Sequence, residues 1–170
     1  MAVIQIDYPG TRPLVPITPE GVPPPTSMEY VEKDYLPYLM TNAKKLNETY
    51  TYGEYVEPQL LEIIKMYTEN GFNTNQATIN VGDKSSIYLD DPPCLRMIDT
   101  RVRYGALHFV VYFRSWDLYG GFPANLAAIQ LMKEQMAQAI GVEDGKIIAI
   151  SKGLHLYEMQ WDVGKLVVRS

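Results

Sequence analysis

The chemistry open to this chain converges on one cysteine. Cys94 follows Pro92-Pro93, and two prolines in a row remove backbone freedom just ahead of the thiol. A thiol becomes a nucleophile when it is held in place and a nearby cation favours its thiolate. Cys94 enters a run with strand character, where residues i and i+2 share a face, which would set Arg96 beside it. The competing reading of a lone cysteine at a strand start is a small buried hydrophobe. A single cysteine excludes an internal disulfide and any multi-cysteine metal site. His108 and His155 stand 47 positions apart, so no metal is expected.

Two further segments carry polar groups in suggestive places. In Phe113-Arg114-Ser115-Trp116-Asp117 through Gly121 and Asn125, an Arg and a Ser end an apolar strand. A guanidinium matches two phosphate oxygens and a hydroxyl adds a third contact. Asn125 falls where the next helix begins, so it either caps that helix or presents its amide to a planar base. In His155-Leu156-Tyr157 the two ring side chains alternate onto one strand face, where they could bond a sugar hydroxyl; a structural role for His155 is the alternative.

The elements that must position these groups are readable in outline. Residues 1–26 hold seven of the twelve prolines and read as an extended arm with little structure of its own. Thr26-Ser27-Met28-Glu29 matches a capping box and predicts a helix to about Thr41, kinked at Pro37. A second helix is expected over Glu54–Glu69, with Asn70-Gly71 as its stop. Thr74–Val81 reads as a strand. Leu95–Arg103 and Leu107–Phe113, joined by Tyr104-Gly105, read as a hairpin. A third helix follows Pro123, with Ile129, Met132, Met136 and Ile140 as its buried stripe and Gly141 as its stop. Short strands are expected at Lys146–Ser151, Leu154–Tyr157 and Lys165–Val168. Helices and strands mix without strict alternation, which favours an α+β fold. No Gly-rich loop follows a strand, which argues against dinucleotide and P-loop readings.

Composition narrows the partners. The 170 residues suit one globular domain, 27–170, behind the arm. A net charge of −5 argues against nucleic acid, which is bound by clustered Lys and Arg. With no apolar run of about 20 residues and no signal-like start, no membrane association is expected and the cytoplasm is the default compartment.

Taken together the three segments resemble the thymidylate synthase family, which carries a Pro-Cys nucleophile, then Gln-Arg-Ser-x-Asp-x-x-x-Gly-x-Pro-Phe-Asn, then His-x-Tyr. Separations here of 20 residues from Cys94 to Arg114, 11 to Asn125 and 30 to His155 agree with that family. Tyr52-Gly53 is similar to its Tyr-Gly, and the wording is nearest its shorter archaeal branch. The resemblance implies a three-layer α+β fold with a large mixed β-sheet and flanking helices, working as a homodimer. It implies one-carbon transfer to C5 of dUMP, giving dTMP, with methylene-tetrahydrofolate or a related methylene-pterin as carbon donor. By position, Cys94 would add to C6 of the base and Arg114 would stabilise its anion. Arg114 and Ser115 would hold the 5′-phosphate, and Asp117 would bond the pterin. Asn125 would read O4 and N3–H of uracil, and His155 with Tyr157 would bond the 3′-hydroxyl. A nucleotide hydroxymethylase and a non-catalytic nucleotide-binding relative are the alternatives.

Several positions depart from the family pattern. Thr74, Asn75 and Gln76 stand where its paired phosphate-binding arginines should fall, with Arg96 and Arg12 as candidate substitutes. Phe113 replaces its Gln, Leu95 the His after the nucleophile, and Ala124 the Phe before Asn. The N-terminal helix bearing the family's catalytic Glu is not recognisable, and 13 residues follow Tyr157, too few for its closing tail.

Overall fold

The computed structural model describes residues 1–46 and 48–169. In order they form β1 (Ala2–Ile6), α1 (Met28–Tyr30), a π-helical stretch (Val31–Tyr35), α2 (Leu36–Met40), α3 (Gly53–Asn70), β2 (Thr78–Asn80), a 3-10 turn (Lys84–Tyr88), β3 (Leu95–Arg103) and β4 (Ala106–Phe113). Then come β5 (Trp116–Asp117), α4 (Gly121–Ile140), β6 (Glu143–Ser151), β7 (Leu154–His155), a second 3-10 turn (Glu158–Gln160) and α5 (Trp161–Arg169).

Five strands make a mixed sheet in the order β1-β6-β4-β3-β2. Only β4 and β6 run parallel; the other pairs are antiparallel. The β3–β4 hairpin turns on Tyr104 and Gly105, both at positive φ (54° and 76°), the two-residue turn whose twist matches the strands. Alternation then decides the faces. Leu107, Phe109, Val111 and Phe113 are fully buried together with Leu95, Ile98, Ile147 and Ala149. Burial of each large side chain contributes roughly 1.5–3 kcal/mol. Their neighbours Met97, Val110, Tyr112, Ile148 and Ile150 on the other face are only half-buried. The buried stripes of α3 (Val56, Leu60, Ile63, Tyr67) and α4 (Ile129, Met132, Met136) complete the core with Val31 and Leu39 of the N-terminal helical segment. A mixed sheet with helices makes the fold α+β.

The hairpin and the two long helices agree with their sequence signals, including the left-handed Gly141 at φ 73° that stops α4. Other expectations need correction. Ser27, one residue on from Thr26, is the first helix's N-cap: its Oγ accepts the Tyr30 N–H at 3.1 Å. The helix is not simply kinked at Pro37. A π-type turn in which Leu36 N–H reaches the Val31 carbonyl precedes the residue that has no N–H to give. The Thr74–Val81 strand shrinks to Thr78–Asn80, because Gln76 N–H folds back onto Thr74 Oγ1 and Arg101 holds the Thr74 carbonyl at 2.6 Å. The Leu154–Tyr157 strand stops at His155, and Tyr157 opens a 3-10 turn. Lys165–Val168 is helix, not strand. Leu156, Gly164, Val167 and Val168 line one apolar cavity, so the 3.6-residue period prevails over the β-branched run, and Asp162 pairs with Lys165 at 3.0 Å.

Within the arm, Ala2–Ile6 joins the sheet as an edge strand beside β6, which the sequence reading missed. Farther along, Arg12 grips Glu134 of α4 with two bonds of 2.9 and 2.7 Å, and Tyr119 donates its hydroxyl proton to the Pro23 carbonyl at 2.7 Å.

Candidate active site

Cys94 precedes β3 by one residue and Arg114 follows β4 by one residue. Leu95 lies opposite Phe113 in the antiparallel pair, so the hairpin brings thiol and guanidinium to the same end of the sheet. Arg114 N–H donates to the Cys94 carbonyl at 2.9 Å. Its guanidinium donates Nε–H to the Pro93 carbonyl at 3.2 Å and Nη2–H to the Pro92 carbonyl and to Asp91 Oδ1, the latter at 3.1 Å. The two prolines thus supply carbonyls at fixed positions that hold Arg114 against the cysteine loop. Burial pushes the Cys94 thiol up from its ordinary value; Arg114 opposes that rise and Asp91 adds to it. Arg96, offered by strand alternation as the thiol's neighbour, sits in the irregular register between Leu95 and Met97, with its guanidinium against Gly82. The break in alternation is why it does not serve.

A wall of tyrosines closes the thiol side. Tyr38 and Tyr52 pack with ring centroids 4.9 Å apart, and Tyr35 and Tyr50 lie at 6.5 and 6.2 Å from Tyr52. Tyr52 Oη accepts the Leu95 N–H at 3.3 Å. Burial raises all four phenols, Tyr50 to about 12, so they stay neutral hydrogen-bonding groups. Sequence reasoning passed over this cluster. Its signal was the density of tyrosine at positions 30, 35, 38, 50 and 52.

A second group of residues lines a cavity of about 530 Å³ formed by Pro25, Thr26, Tyr35, Asp117, Gly121 and Asn125 among others. Asp117 is committed locally. Its carboxylate accepts the N–H groups of Tyr119, Gly120 and Gly121 at 2.9–3.1 Å, and so it caps α4. Asn125 is therefore not the cap; it lies one turn inside the helix. Its Oδ1 accepts the Trp116 indole N–H at 2.8 Å. An indole can only donate, so the amide orientation is determined, with Nδ2 turned away from Trp116. Trp116 in turn stacks on Phe113 at 4.1 Å and packs on Phe122 at 4.6 Å. The departures Phe113, Leu95 and Ala124 are all buried core positions, so they rebuild packing around the motif.

β5 and β7 pair in parallel, setting Asp117 opposite His155. His155 Nδ1 lies 3.0 Å from the Gly153 carbonyl, an acceptor. In the neutral ring this places the proton on Nδ1 and leaves Nε2 with its lone pair. Tyr157 meets His155 edge-on at 4.9 Å and is exposed. Gly153 permits this crossing, since a Cβ there would stand 3.1 Å from the Arg114 carbonyl. Ser115 is half-buried beside it. The structure therefore joins Cys94 with Arg114, Asp117 with Asn125, and His155 with Tyr157. Tyr35 links the first two pairs, for it lines the cavity and feels the charge of Cys94. Arg12 does not belong to the group, being held by Glu134. The loop at Thr74–Asn75 contributes no cation and instead holds Arg101 through the Thr74 carbonyl and Asn75 Oδ1. Among the described residues no three His, Cys, Asp or Glu side chains could hold a metal ion.

Comparison with known proteins bears on the same region. Proteins named "Putative thymidylate synthase" from Methanosarcina acetivorans and Methanosarcina barkeri are 26 % and 25 % identical to this chain over 143 residues, which is 81 % of it. One from Methanothermobacter thermautotrophicus is 29 % identical over 126 residues, or 71 % of the chain and 56 % of that relative. The chain spans 66 % of the length of the two Methanosarcina relatives. The family described as Thymidylate synthase matches residues 54–169, a stretch that contains Cys94, Arg114, Asn125 and His155, and on that match the chain belongs to the thymidylate synthase family.

Proposed function

We propose that the chain catalyses one-carbon transfer to C5 of dUMP, giving dTMP, through a cysteine nucleophile. The observation that carries this reading is that thiol and guanidinium sit at one end of the sheet: Arg114 is pinned against the Cys94 loop by two prolyl carbonyls, and Tyr35 connects that loop with a cavity lined by Asn125. Sγ of Cys94 adds to C6 of the uracil, and the electron pair displaced to C5 and O4 makes C5 a nucleophile. Arg114 favours the thiolate and, with Ser115, receives the 5′-phosphate. The Asn125 Nδ2–H donates to O4, where charge builds as the thiolate adds, and the second lone pair of Oδ1 accepts from N3–H. His155 and Tyr157 meet the 3′-hydroxyl.

The carbon donor, methylene-tetrahydrofolate or a related methylene-pterin, would supply both the methylene that C5 attacks and the hydride that reduces it to the methyl of dTMP, while C5 gives up its proton and the Cys94 thiolate leaves C6. The 530 Å³ cavity between Tyr35, Asp117 and Gly121 has room for a bicyclic ring. Asp117 keeps one of its four lone-pair sites beyond the three it uses on the N–H groups of Tyr119, Gly120 and Gly121. The family's homodimer would cover the half-buried sheet face of Met97, Val110, Tyr112, Ile148 and Ile150, making the third layer from a second copy. In this reading residues 27–170 form the catalytic domain and the N-terminal residues an arm along it, in the cytoplasm.

The test is covalent. With a methylene-pterin present, 5-fluoro-dUMP should form an adduct on Cys94, because fluorine at C5 blocks the elimination that frees the enzyme. Intact-protein mass spectrometry reads the added mass. The parent protein should carry it and Cys94→Ser should not; an unmodified parent, or an equal adduct in the variant, overturns the assignment.

A further inference from the structure

Among the described residues, Arg114 is the one cation whose charge acts on the Cys94 thiol, and it is already engaged. Its Nη2 nitrogen carries two hydrogens, which meet the Pro92 carbonyl and the Asp91 carboxylate, while Nε–H meets the Pro93 carbonyl. A phosphate that grips a guanidinium with two N–H groups must reach Nη1 and take over one acceptor's place on Nη2, or displace both side-facing acceptors. The carbonyls belong to a Pro-Pro backbone with Pro93 buried and have nowhere to go. Asp91 is different: its side chain is 88 % exposed against 29 % for Arg114, and water can receive it at little cost.

We propose that Asp91 is a built-in competitor at the Arg114 guanidinium, a carboxylate that an incoming phosphomonoester dianion must displace, so that it sets how tightly the site holds a phosphate. A dianion outbids a carboxylate for one guanidinium, whereas a neutral nucleoside or a monoanion gains little by entering. While Asp91 is in place its charge also adds, behind burial and against Arg114, to the upward push on the Cys94 thiol. This inference rests on reading Arg114 as the phosphate-binding cation, and it names the residue that tempers its hold on a phosphate.

The experiment titrates inorganic phosphate into protein labelled at the arginine side-chain nitrogens, following the Arg114 Nε–H resonance in the parent, Asp91→Asn and Asp90→Asn. Asp90→Asn removes the same charge one residue away from the pair. Asp91→Asn should bind phosphate about two- to fivefold tighter, the range expected from removing an exposed ion pair, and Asp90→Asn should move it less. Without any ligand, the pH midpoint for alkylation of Cys94 by iodoacetamide should fall in Asp91→Asn. Equal phosphate affinity in parent and Asp91→Asn, or equal gains in both variants, overturns the proposal. If phosphate tightens as expected but 5-fluoro-dUMP never labels Cys94, the competitor stands and the nucleotide chemistry alone is lost.

Discussion

Replacing Trp116 by Phe tests whether a residue remote from the thiol decides which base enters. The proposed contacts to uracil need Asn125 with its Nδ2 toward O4 and Oδ1 toward N3–H. Cytosine, with a donor at position 4 and an acceptor at N3, needs the amide reversed. In the parent, reversal turns the amide NH2 against the Trp116 indole N–H, breaking the part-buried 2.8 Å bond and leaving two donors facing each other. An unmade hydrogen bond of this kind costs about 1–3 kcal/mol, so the amide is locked for uracil by on the order of tenfold, equivalent to ~1.4 kcal/mol. Trp116→Phe keeps a ring to stack on Phe113, where the planes are 6° apart, but removes the donor. The lost bond and the smaller ring together should lower stability by about 2 kcal/mol, or roughly 4–8 °C in Tm. Calorimetric titration with dUMP and dCMP is the assay. The parent should prefer dUMP by on the order of tenfold, and the variant should bind the two within about twofold, mainly through a gain for dCMP. A Trp116→Phe protein that folds and still discriminates tenfold would refute the idea that the indole fixes the amide.

Two further outcomes follow from packing and charge. Sedimentation equilibrium of the parent at micromolar concentration should give twice the 19.3 kDa chain mass, and Ile148→Glu, a charge set in the centre of the half-buried face, should return it to a monomer with an unchanged helical spectrum. A parent that sediments as a 19.3 kDa species would remove the interface. Glu134 is held below its usual range by the Arg12 hydrogen bonds, and Gln130 adds to this. Its folded value is depressed, so the stabilisation is complete above the ordinary value of 4.5 and fades as pH falls through the lowered one. Glu134→Gln should therefore lose about 0.5 kcal/mol near neutrality, the scale of an exposed pair, and show a shallower loss of stability on acidification below pH 4.5 than the parent. Equal acid slopes in urea titrations would refute that assignment.

What could be read in advance follows the range over which each signal acts. The β3–β4 hairpin was legible because strict alternation and the Tyr104-Gly105 turn are local, and α3 and α4 because their stops, Gly71 and Gly141, sit beside their last apolar residues. The parallel pairing of β4 with β6 and the edge strand at Ala2–Ile6 join residues far apart in sequence, and no local pattern marks such partners. α5 was misread for a related reason. Leu-Val-Val has strand propensity, but a cavity built from the arm and α4 supplies the surface that a helical face can meet, and tertiary context overrides propensity.

The site divides along the same line. Cys94, Arg114, Asn125 and His155 could be proposed by type and spacing, because they fall in the order of motifs that the family resemblance rests on. The state each group is held in was not readable from those letters. Asn125 was open to a capping role, but it lies inside α4 and Asp117 takes the Gly121 N–H at the helix start, and its amide is aimed by an indole nine residues upstream. Arg114 looked like a free cation, yet it is occupied by Asp91 and two carbonyls 21 to 23 residues before it. Arg12 looked available and is spent on Glu134 across 122 residues. A motif names the groups that can react, whereas the hydrogen-bond partners decide which lone pairs and charges remain to meet a ligand. Those partners, Trp116 and Asp91 above all, lie at positions that the family pattern leaves open, so they are where this chain can differ from its relatives without losing the motif.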